Sequence, residues 1–271
     1  MTEKICLDEE AREFFGHLLM SRGDNLVEND PELLDILSCF AYDVVHSVDL
    51  DDRTRYLAWL STIIGCMGPD SFRSVAVCSL ENALTPVELK ELVYQSVAFL
   101  GISRALPFVR ATNAVLERLE VEVPLPKQAT IDHAHSLEAG EQVLVDIFGE
   151  QMRGFSKTGN PDYPNINKWL TGNCFGQYYT RGGLSLADRE LIAFCLIAGQ
   201  GGCEAQLKTH IVGNLAVGNS RELLIKVVNS NLPLLGYPRT QNTLTIIDVV
   251  QAEIEMQEQQ ERLESQLNAQ Q

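Results

Sequence analysis

The residues best suited to chemistry lie between Gly201 and His210, in the segment GGCEAQLKTH. Cys203, Gln206 and His210 stand at positions i, i+3 and i+7, so a helix that begins after the glycine pair places all three on one face. A thiol can act as a nucleophile, and an imidazole can exchange a proton near neutral pH. The spacing therefore predicts a chemical site, to which Glu190 on the preceding segment can contribute a carboxylate.

Two predicted helices must position these groups. Apolar periodicity favours one helix over Ala187–Gly199 and a second over Cys203–Val217, and the glycines between them permit a tight reversal. In such an antiparallel hairpin Glu190 falls beside His210 and can orient the imidazole. Cys203 lies two turns away, at roughly 10 Å along the helix axis, so we expect relay through Gln206, water or a substrate rather than direct contact.

A purely structural interpretation of the same residues stays open. A cysteine among small residues is usually a buried apolar filler, and a helical histidine is often a hydrogen-bonded structural residue. The joint placement of the thiol, the amide, the imidazole and the carboxylate is what favours a site.

The chain also contains an internal repeat. An offset of 134 residues aligns Arg55 with Arg189, and one inserted residue later LGISR (100–104) meets LGYPR (235–239). The further matches at offset 134 are Leu57 with Leu191, Ile63 with Ile197, Glu88 with Glu222, Leu89 with Leu223, and Ser96 with Ser230. The repeat predicts two tandem copies of one fold.

Helix-capping residues recur in both predicted copies. The expected N-caps are Asp51 and Ser185 for the helices that carry Arg55 and Arg189, and Thr85 and Asn219 for the next matched pair. Together with apolar periodicities close to 3.6 residues, these signals predict an all-α chain with short loops.

The two copies differ in their polar residues. At the same offset Glu190, Cys203, Gln206 and His210 correspond to Tyr56, Pro69, Phe72 and Ala76. Apolar and aromatic replacements suit a packing surface. We therefore expect the N-terminal copy to be a scaffold and the C-terminal copy to carry the chemistry.

These patterns predict four parts of the chain. Residues 1–120 form a degenerate N-terminal repeat, 121–136 a proline-containing linker, 137–250 the repeat that carries the site, and 251–271 a polar tail rich in Gln and Glu. The tail is either a helix against a partner or a solvated end, of which we favour the solvated end. His133 and His135 form an H-x-H pair without familiar ligand spacing, so we predict no metal and no other cofactor.

Composition narrows the possible partners. The 271 residues have a formal net charge of −16 and 45% hydrophobic content, enough for two cores. The negative charge argues against nucleic acid and anionic membranes as partners. Seven cysteines without a C-x-x-C pair, an export signal or a long apolar run predict reduced thiols in a cytoplasmic protein. GQGG (199–202) follows a predicted helix and is no nucleotide-binding fingerprint.

The segment LSLADRELIAFCLIAGQGGCEAQLKTHIVGNLAVGNSRELL (184–224) and the following LGYPRTQNTL resemble the carboxymuconolactone decarboxylase family, which includes the alkylhydroperoxidase D proteins. DDRTRYLAWLSTIIG and LTPVELKELVYQSVAFLGISRAL show a weaker form of the pattern, so the resemblance runs from about Phe14 to Val250. It implies an all-α fold of two tandem alkylhydroperoxidase D-like domains in a bacterial protein. It also implies helical oligomers, and because this chain fuses two repeats we expect a homotrimer in place of a hexamer.

The resemblance also implies roles for the site residues. In the peroxidase branch a Glu, a Cys-x-x-Cys and a His form a thiol and proton relay. Here Glu190, Cys203 and His210 match the Glu, the first Cys and the His, but Gln206 replaces the second Cys, so no disulfide cycle can occur within the motif. The decarboxylase branch typically has a His where Cys203 stands, and the chain departs from that pattern too.

Three functions remain open at this point. The first is acid–base, lyase-type chemistry on a small carboxylated or lactone-like molecule, with Glu190, Cys203 and His210 as catalytic residues and Gln206 as a substrate-binding residue. The second is a thiol-dependent, peroxiredoxin-like antioxidant activity in which Cys203 is oxidised and then resolved by an outside thiol or by Cys195. The third is a non-catalytic oligomeric binding protein.

Overall fold

The computed structural model describes residues 26–268, and within that range the chain is all-α, without a β-strand. The first 25 residues of the predicted N-terminal repeat, Phe14 among them, and residues 269–271 of the predicted tail lie outside the described residues. The helices of the N-terminal half are α1 Leu26–Asn29, α2 Pro31–Ser47, α3 Asp52–Gly65, α4 Pro69–Asn82, α5 Pro86–Leu100 and α6 Ile102–Arg118.

The C-terminal half contains the remaining helices. Short 3-10 turns at His133–His135, Glu150–Met152 and Phe155–Lys157 accompany α7 Ser136–Phe148, and α8 Ile166–Trp169 runs directly into a π-helix over Leu170–Tyr179. Then come α9 Leu186–Gln200, α10 Glu204–Ala216, α11 Arg221–Ser230, α12 Leu232–Leu235 and α13 Tyr237–Asn268.

Helices α3 and α9 cross at the centre of the molecule, where their backbones nearly touch. A Cβ on Gly65 would lie 2.5 Å from the carbonyl oxygen of Leu196, and a Cβ on Gly199 would lie 2.7 Å from that of Thr62. Only glycine permits this approach at both positions. Gly65 and Gly199 stand 134 residues apart, which is the offset of the predicted repeat.

Two matched arginines sit in similar surroundings on these helices. The Nη2 of Arg189 donates to the carbonyl oxygens of Arg181 and Gly182, and the Nη2 of Arg55 donates to those of Val48 and Leu50. Each side chain thus secures the segment just before its own helix. This agrees with the alignment that the sequence predicts for α3 and α9.

After this crossing the predicted alignment is wrong by one residue. The buried side chains of α4 match those of α10 at an offset of 135: Phe72 with Leu207, Val75 with His210, Ala76 with Ile211, and Ser79 with Asn214. The extra residue therefore lies in the Gly201–Gly202 turn and not just before LGYPR, because burial rather than residue identity defines the register. The equivalents of Cys203, Gln206 and His210 become Gly68, Ser71 and Val75, so the N-terminal half still lacks the thiol, the amide and the imidazole.

The predicted N-caps are confirmed with one exception. The side chains of Asp51, Ser185 and Thr85 accept backbone N–H bonds in the first turns of α3, α9 and α5. The N-cap of α11 is Ser220 and not Asn219, because the one-residue insertion in the Gly201–Gly202 turn shifts the alignment of the following helices. The Asn219 amide instead donates to the carbonyl of Ala187 and so ties the loop to α9.

The linker contacts the π-helix, whereas the tail is an exposed continuation of the last helix. The Nδ1 of His133 lies 2.7 Å from the amide of Gln177, and that of His135 lies 2.6 Å from Asp132. No cluster of metal-binding side chains occurs among residues 26–268. Residues 251–268 continue α13 as an exposed helix, and none of the helices that the structure describes has the length and apolar character needed to cross a membrane.

Candidate active site

Helices α9 and α10 form the predicted hairpin. Gly201 and Gly202 connect them with φ values of 66° and 69°, a backbone region that side-chain-bearing residues rarely adopt. The reversal brings the Nδ1 of His210 to 2.8 Å from the Oε2 of Glu190. The expected pairing of Glu190 with His210 within one chain is therefore present.

The Glu190 carboxylate is fully buried and accepts hydrogen bonds at both oxygens. The hydroxyl of Tyr179 donates to Oε1 at 2.8 Å, while the imidazole donates to Oε2. Gly213 stands against the same carboxylate, where a Cβ would lie 3.0 Å from the Cδ atom of Glu190. Since a buried carboxylate is costly unless it is hydrogen-bonded or paired, these donors keep it in place.

The π-helix supplies one wall of the site. Its wider turn places Cys174, Phe175 and Tyr179 together on the buried side, and π-helical turns are frequent at functional sites. Burial and the nearby Glu190 charge raise the pKa of Tyr179 well above its ordinary value, and the same two causes raise the pKa of Cys174 to about 12. Both groups therefore stay protonated at neutral pH, and Tyr179 remains a hydrogen-bond donor.

His210 is held at one ring nitrogen, Nδ1, by Glu190, and its backbone is fixed by Asn214. The amide of Asn214 donates to the carbonyls of both Glu190 (2.9 Å) and His210 (2.6 Å), which locks the two backbones together. Phe99 packs edge-on against the imidazole, with ring centroids 5.3 Å apart. No described residue hydrogen-bonds Nε2, and the side chain is 10% exposed.

Cys203 lies at the other end of α10, where it is the N-cap residue. Its sulfur accepts a hydrogen bond of 3.0 Å from the amide of Gln200. The half-buried thiol lines a pocket of about 240 Å³ together with Leu207 and Arg239. Gln206 is exposed on the intervening turn. Within the described chain no contact joins Cys203 to the Glu190–His210 pair, in agreement with the expected separation.

Cys195, which the sequence suggests as a second thiol, is fully buried between the two halves. Its sulfur accepts a hydrogen bond from Asn231, and burial raises its pKa to about 12. A protonated thiol without solvent access resolves an oxidised cysteine poorly. This geometry leaves an outside thiol as the better resolving group for Cys203.

The structure adds four residues that the sequence analysis missed: Phe99, Tyr179, Gly213 and Asn214. Gly213 carried a usable signal, because a glycine within an apolar helical pattern often marks a close approach. Tyr179 and Phe99 carried none, because Tyr179 reaches Glu190 and Phe99 reaches His210 from separate segments that only the tertiary structure brings to the site.

Comparison with known proteins agrees with this architecture. Residues 164–248 match the family model described as "Carboxymuconolactone decarboxylase family". The crystal structure of a proposed gamma-carboxymuconolactone decarboxylase subunit from Burkholderia xenovorans LB400 has a TM-score of 0.50 and 19% sequence identity to this chain. The likeness covers 92% of this chain and 97% of that one, and at this identity it concerns the fold alone. No curated protein matches the chain significantly.

Proposed function

We propose, from the premise that residues 164–248 are a carboxymuconolactone decarboxylase family domain, that this protein is an enzyme of acid–base, lyase-type chemistry. Its substrate is a small carboxylated or lactone-like molecule. The observation that carries the proposal is the buried Glu190 carboxylate, which accepts hydrogen bonds from the Tyr179 hydroxyl and from the Nδ1 of His210. Because Nδ1 makes this bond, the other ring nitrogen, Nε2, is the atom that we assign to the ligand. No cofactor takes part in the proposed chemistry.

The proton transfer takes place at the Nε2 of His210. When the bond to a substrate carboxylate breaks, CO₂ leaves and the electron pair remains in a conjugated enolate. Protonated His210 then gives its Nε2 proton to the substrate carbon and recovers a proton from water. Glu190 keeps the ring in position and stabilises the imidazolium, and Tyr179 holds the carboxylate from its other side.

Cys203 and Gln206 contact the substrate in this proposal. Gln206 lies one turn from His210 towards the glycine turn and is exposed, whereas Cys203 lies two turns away, at the N-cap of α10, and lines the pocket beside Arg239. In this proposal the substrate extends from the imidazole along α10, past Gln206, to the pocket that Cys203 lines. We assign Gln206 a substrate-binding role and Cys203 a catalytic or substrate-binding role.

We further propose a homotrimer with internal pseudo-symmetry, in the cytoplasm. A cluster of exposed apolar side chains, Tyr163 (58% exposed), Ile166 (51%) and Trp169 (60%), supports an interface between copies, because patches of this kind are unfavourable in water. Light scattering should give a mass near three times 30.1 kDa. A single-chain mass at micromolar concentration would contradict the trimer.

The test of the acid–base function uses gamma-carboxymuconolactone and measures CO₂ release. Loss of a general acid typically costs on the order of 10²–10⁴-fold in rate, so His210→Gln should fall in that range. Glu190→Gln should also lose activity. His135→Gln and Glu258→Gln are matched controls at exposed positions and should be as active as the parent.

If the His210 and Glu190 variants keep the parent rate, the proposed proton relay is wrong. If the parent releases no CO₂ from this or related small lactones and carboxylates, the non-catalytic binding protein becomes the better interpretation.

A second function, thiol-dependent peroxide reduction, is favoured by the pocket around Cys203. Its thiol is half-buried, bonded to Gln200 and close to Arg239. The Cys203 thiolate would attack the peroxide O–O bond to give a sulfenic acid and an alcohol or water, and an outside dithiol would reduce the product. Intact-mass measurement after one equivalent of peroxide tests it, since a one-oxygen gain should appear in the parent and not in Cys203→Ser. An unmodified mass for the parent would exclude this function.

A further inference from the structure

A groove of about 850 Å³ lies in the N-terminal half, away from Glu190 and His210. One face of α5 forms its floor through Lys90, Glu91 and Tyr94, and the linker covers it with apolar side chains that include Val121 and Leu125. Its volume falls in the range typical of small-molecule sites. The acid–base proposal makes no use of this groove.

The floor of the groove holds two cationic side chains, Lys90 and Arg181, and one buried carboxylate, that of Glu91. Arg181 makes a bidentate ion pair with Glu91, with N–O distances of 2.8 and 2.9 Å. The same carboxylate is also the ion-pair partner of Arg189, at 3.3 Å. Two guanidinium groups therefore share one buried carboxylate.

Beside Arg181, Lys90 is the second cation on the floor of the groove. Its ammonium group lies 5.8 Å from the centroid of the Tyr94 ring and donates to the side-chain oxygen of Asn113. The guanidinium of Arg181 approaches the same ring at 5.4 Å. Lys90 forms no ion pair with any described carboxylate, and burial lowers the pKa of its ammonium group. A partly buried cation that has only a neutral amide as acceptor favours an anionic ligand.

We propose that this groove binds a small organic carboxylate with an apolar body. The carboxylate pairs with Lys90, and the apolar part packs against Tyr94, Val121 and Leu125. Glu117, Glu120 and Glu122 stand at the rim, where they are exposed. Water and salt screen these exposed charges more than the half-buried contact with Lys90, so the inner cation decides which charge the groove accepts.

Titration calorimetry with sodium octanoate tests the proposal on the full chain. A charge-assisted contact predicts an affinity at least about tenfold weaker for Lys90→Met than for the parent, and retained binding for Lys90→Arg. Lys208→Met removes a surface lysine paired with Glu253 and should bind as the parent does. The neutral 1-octanol should bind more weakly than octanoate.

A second measurement needs no variant. Octanoate should slow the acetylation of Lys90 by acetic anhydride, followed by peptide mass, and leave that of Lys208 unchanged. No octanoate binding by the parent, equal affinity in folded Lys90→Met, or unprotected Lys90 at saturating octanoate would each overturn the proposal. If Lys208→Met weakened octanoate binding as much as Lys90→Met does, the proposal would also be overturned, because the effect would then come from the overall charge of the protein.

Discussion

Gly213 offers the sharpest test of how the site is held together. It stands three residues after His210 on α10, directly against the Glu190 carboxylate. In Gly213→Ala the new Cβ would contact the Oε2 of Glu190 and would lie 3.0 Å from its Cδ and 3.1 Å from the Cε1 of Phe148. The carboxylate must therefore move away from the position in which it accepts from the imidazole at 2.8 Å.

The expected effect on stability is small, because two contributions oppose each other. Replacing a mid-helix glycine by alanine favours the helix by about 1 kcal/mol, whereas overpacking a buried site costs about 1–3 kcal/mol. The net loss of unfolding free energy should be about 0–2 kcal/mol. Activity should fall far more, on the order of 100-fold, because a shift of about 1 Å in a positioning group is enough for that loss.

The assay combines CO₂ release from gamma-carboxymuconolactone with urea unfolding. Gly172→Ala is the matched control, since its Cβ would make an ordinary contact of 3.6 Å with Leu137. Full activity in a stable Gly213→Ala protein would show that the Glu190–His210 distance does not govern the reaction. A large loss of stability together with activity would refute the view that this glycine serves mainly the carboxylate.

Three further predictions concern stability. Tyr179→Phe removes a donor to buried Glu190 and should cost about 1–3 kcal/mol in urea unfolding at pH 8. Because the Tyr179 pKa is raised in the folded state, the parent should lose stability as pH rises above about 10, and the variant should lose less; equal slopes would contradict the assignment. Burial raises the Asp188 pKa, but hydrogen bonds, that of Arg53 among them, lower it overall, so Arg53→Met should reduce the unfolding free energy by about 0.5–1 kcal/mol at pH 7. This difference from the parent should disappear as pH falls below about 4, where Asp188 becomes protonated in the unfolded chain, and a difference that does not change with pH would indicate lost packing instead. Gly199→Ala should lower the unfolding free energy by more than about 2 kcal/mol because its Cβ meets the backbone of α3, and an unchanged urea midpoint would mean that the helices can separate at little cost.

Much of the fold was accessible from sequence because its signals are local. Helix caps at Asp51, Ser185 and Thr85 and apolar periodicity depend on neighbours within a few residues, so the main helices and the hairpin could be predicted. The one-residue error after Gly201 arose because residue identities matched by chance at the wrong offset. Burial on α4 and α10 corrected it, and burial is a property of the packed molecule.

The sequence by itself determined that Glu190 meets His210, since a short glycine turn between two helices leaves only one antiparallel register for them. Tertiary structure alone decided what surrounds that pair. Tyr179 reaches Glu190 from a π-helix, and Cys203 faces a separate pocket beside α13, because contacts between distant segments depend on how whole helices pack. The spacing of residues along one helix cannot contain that information.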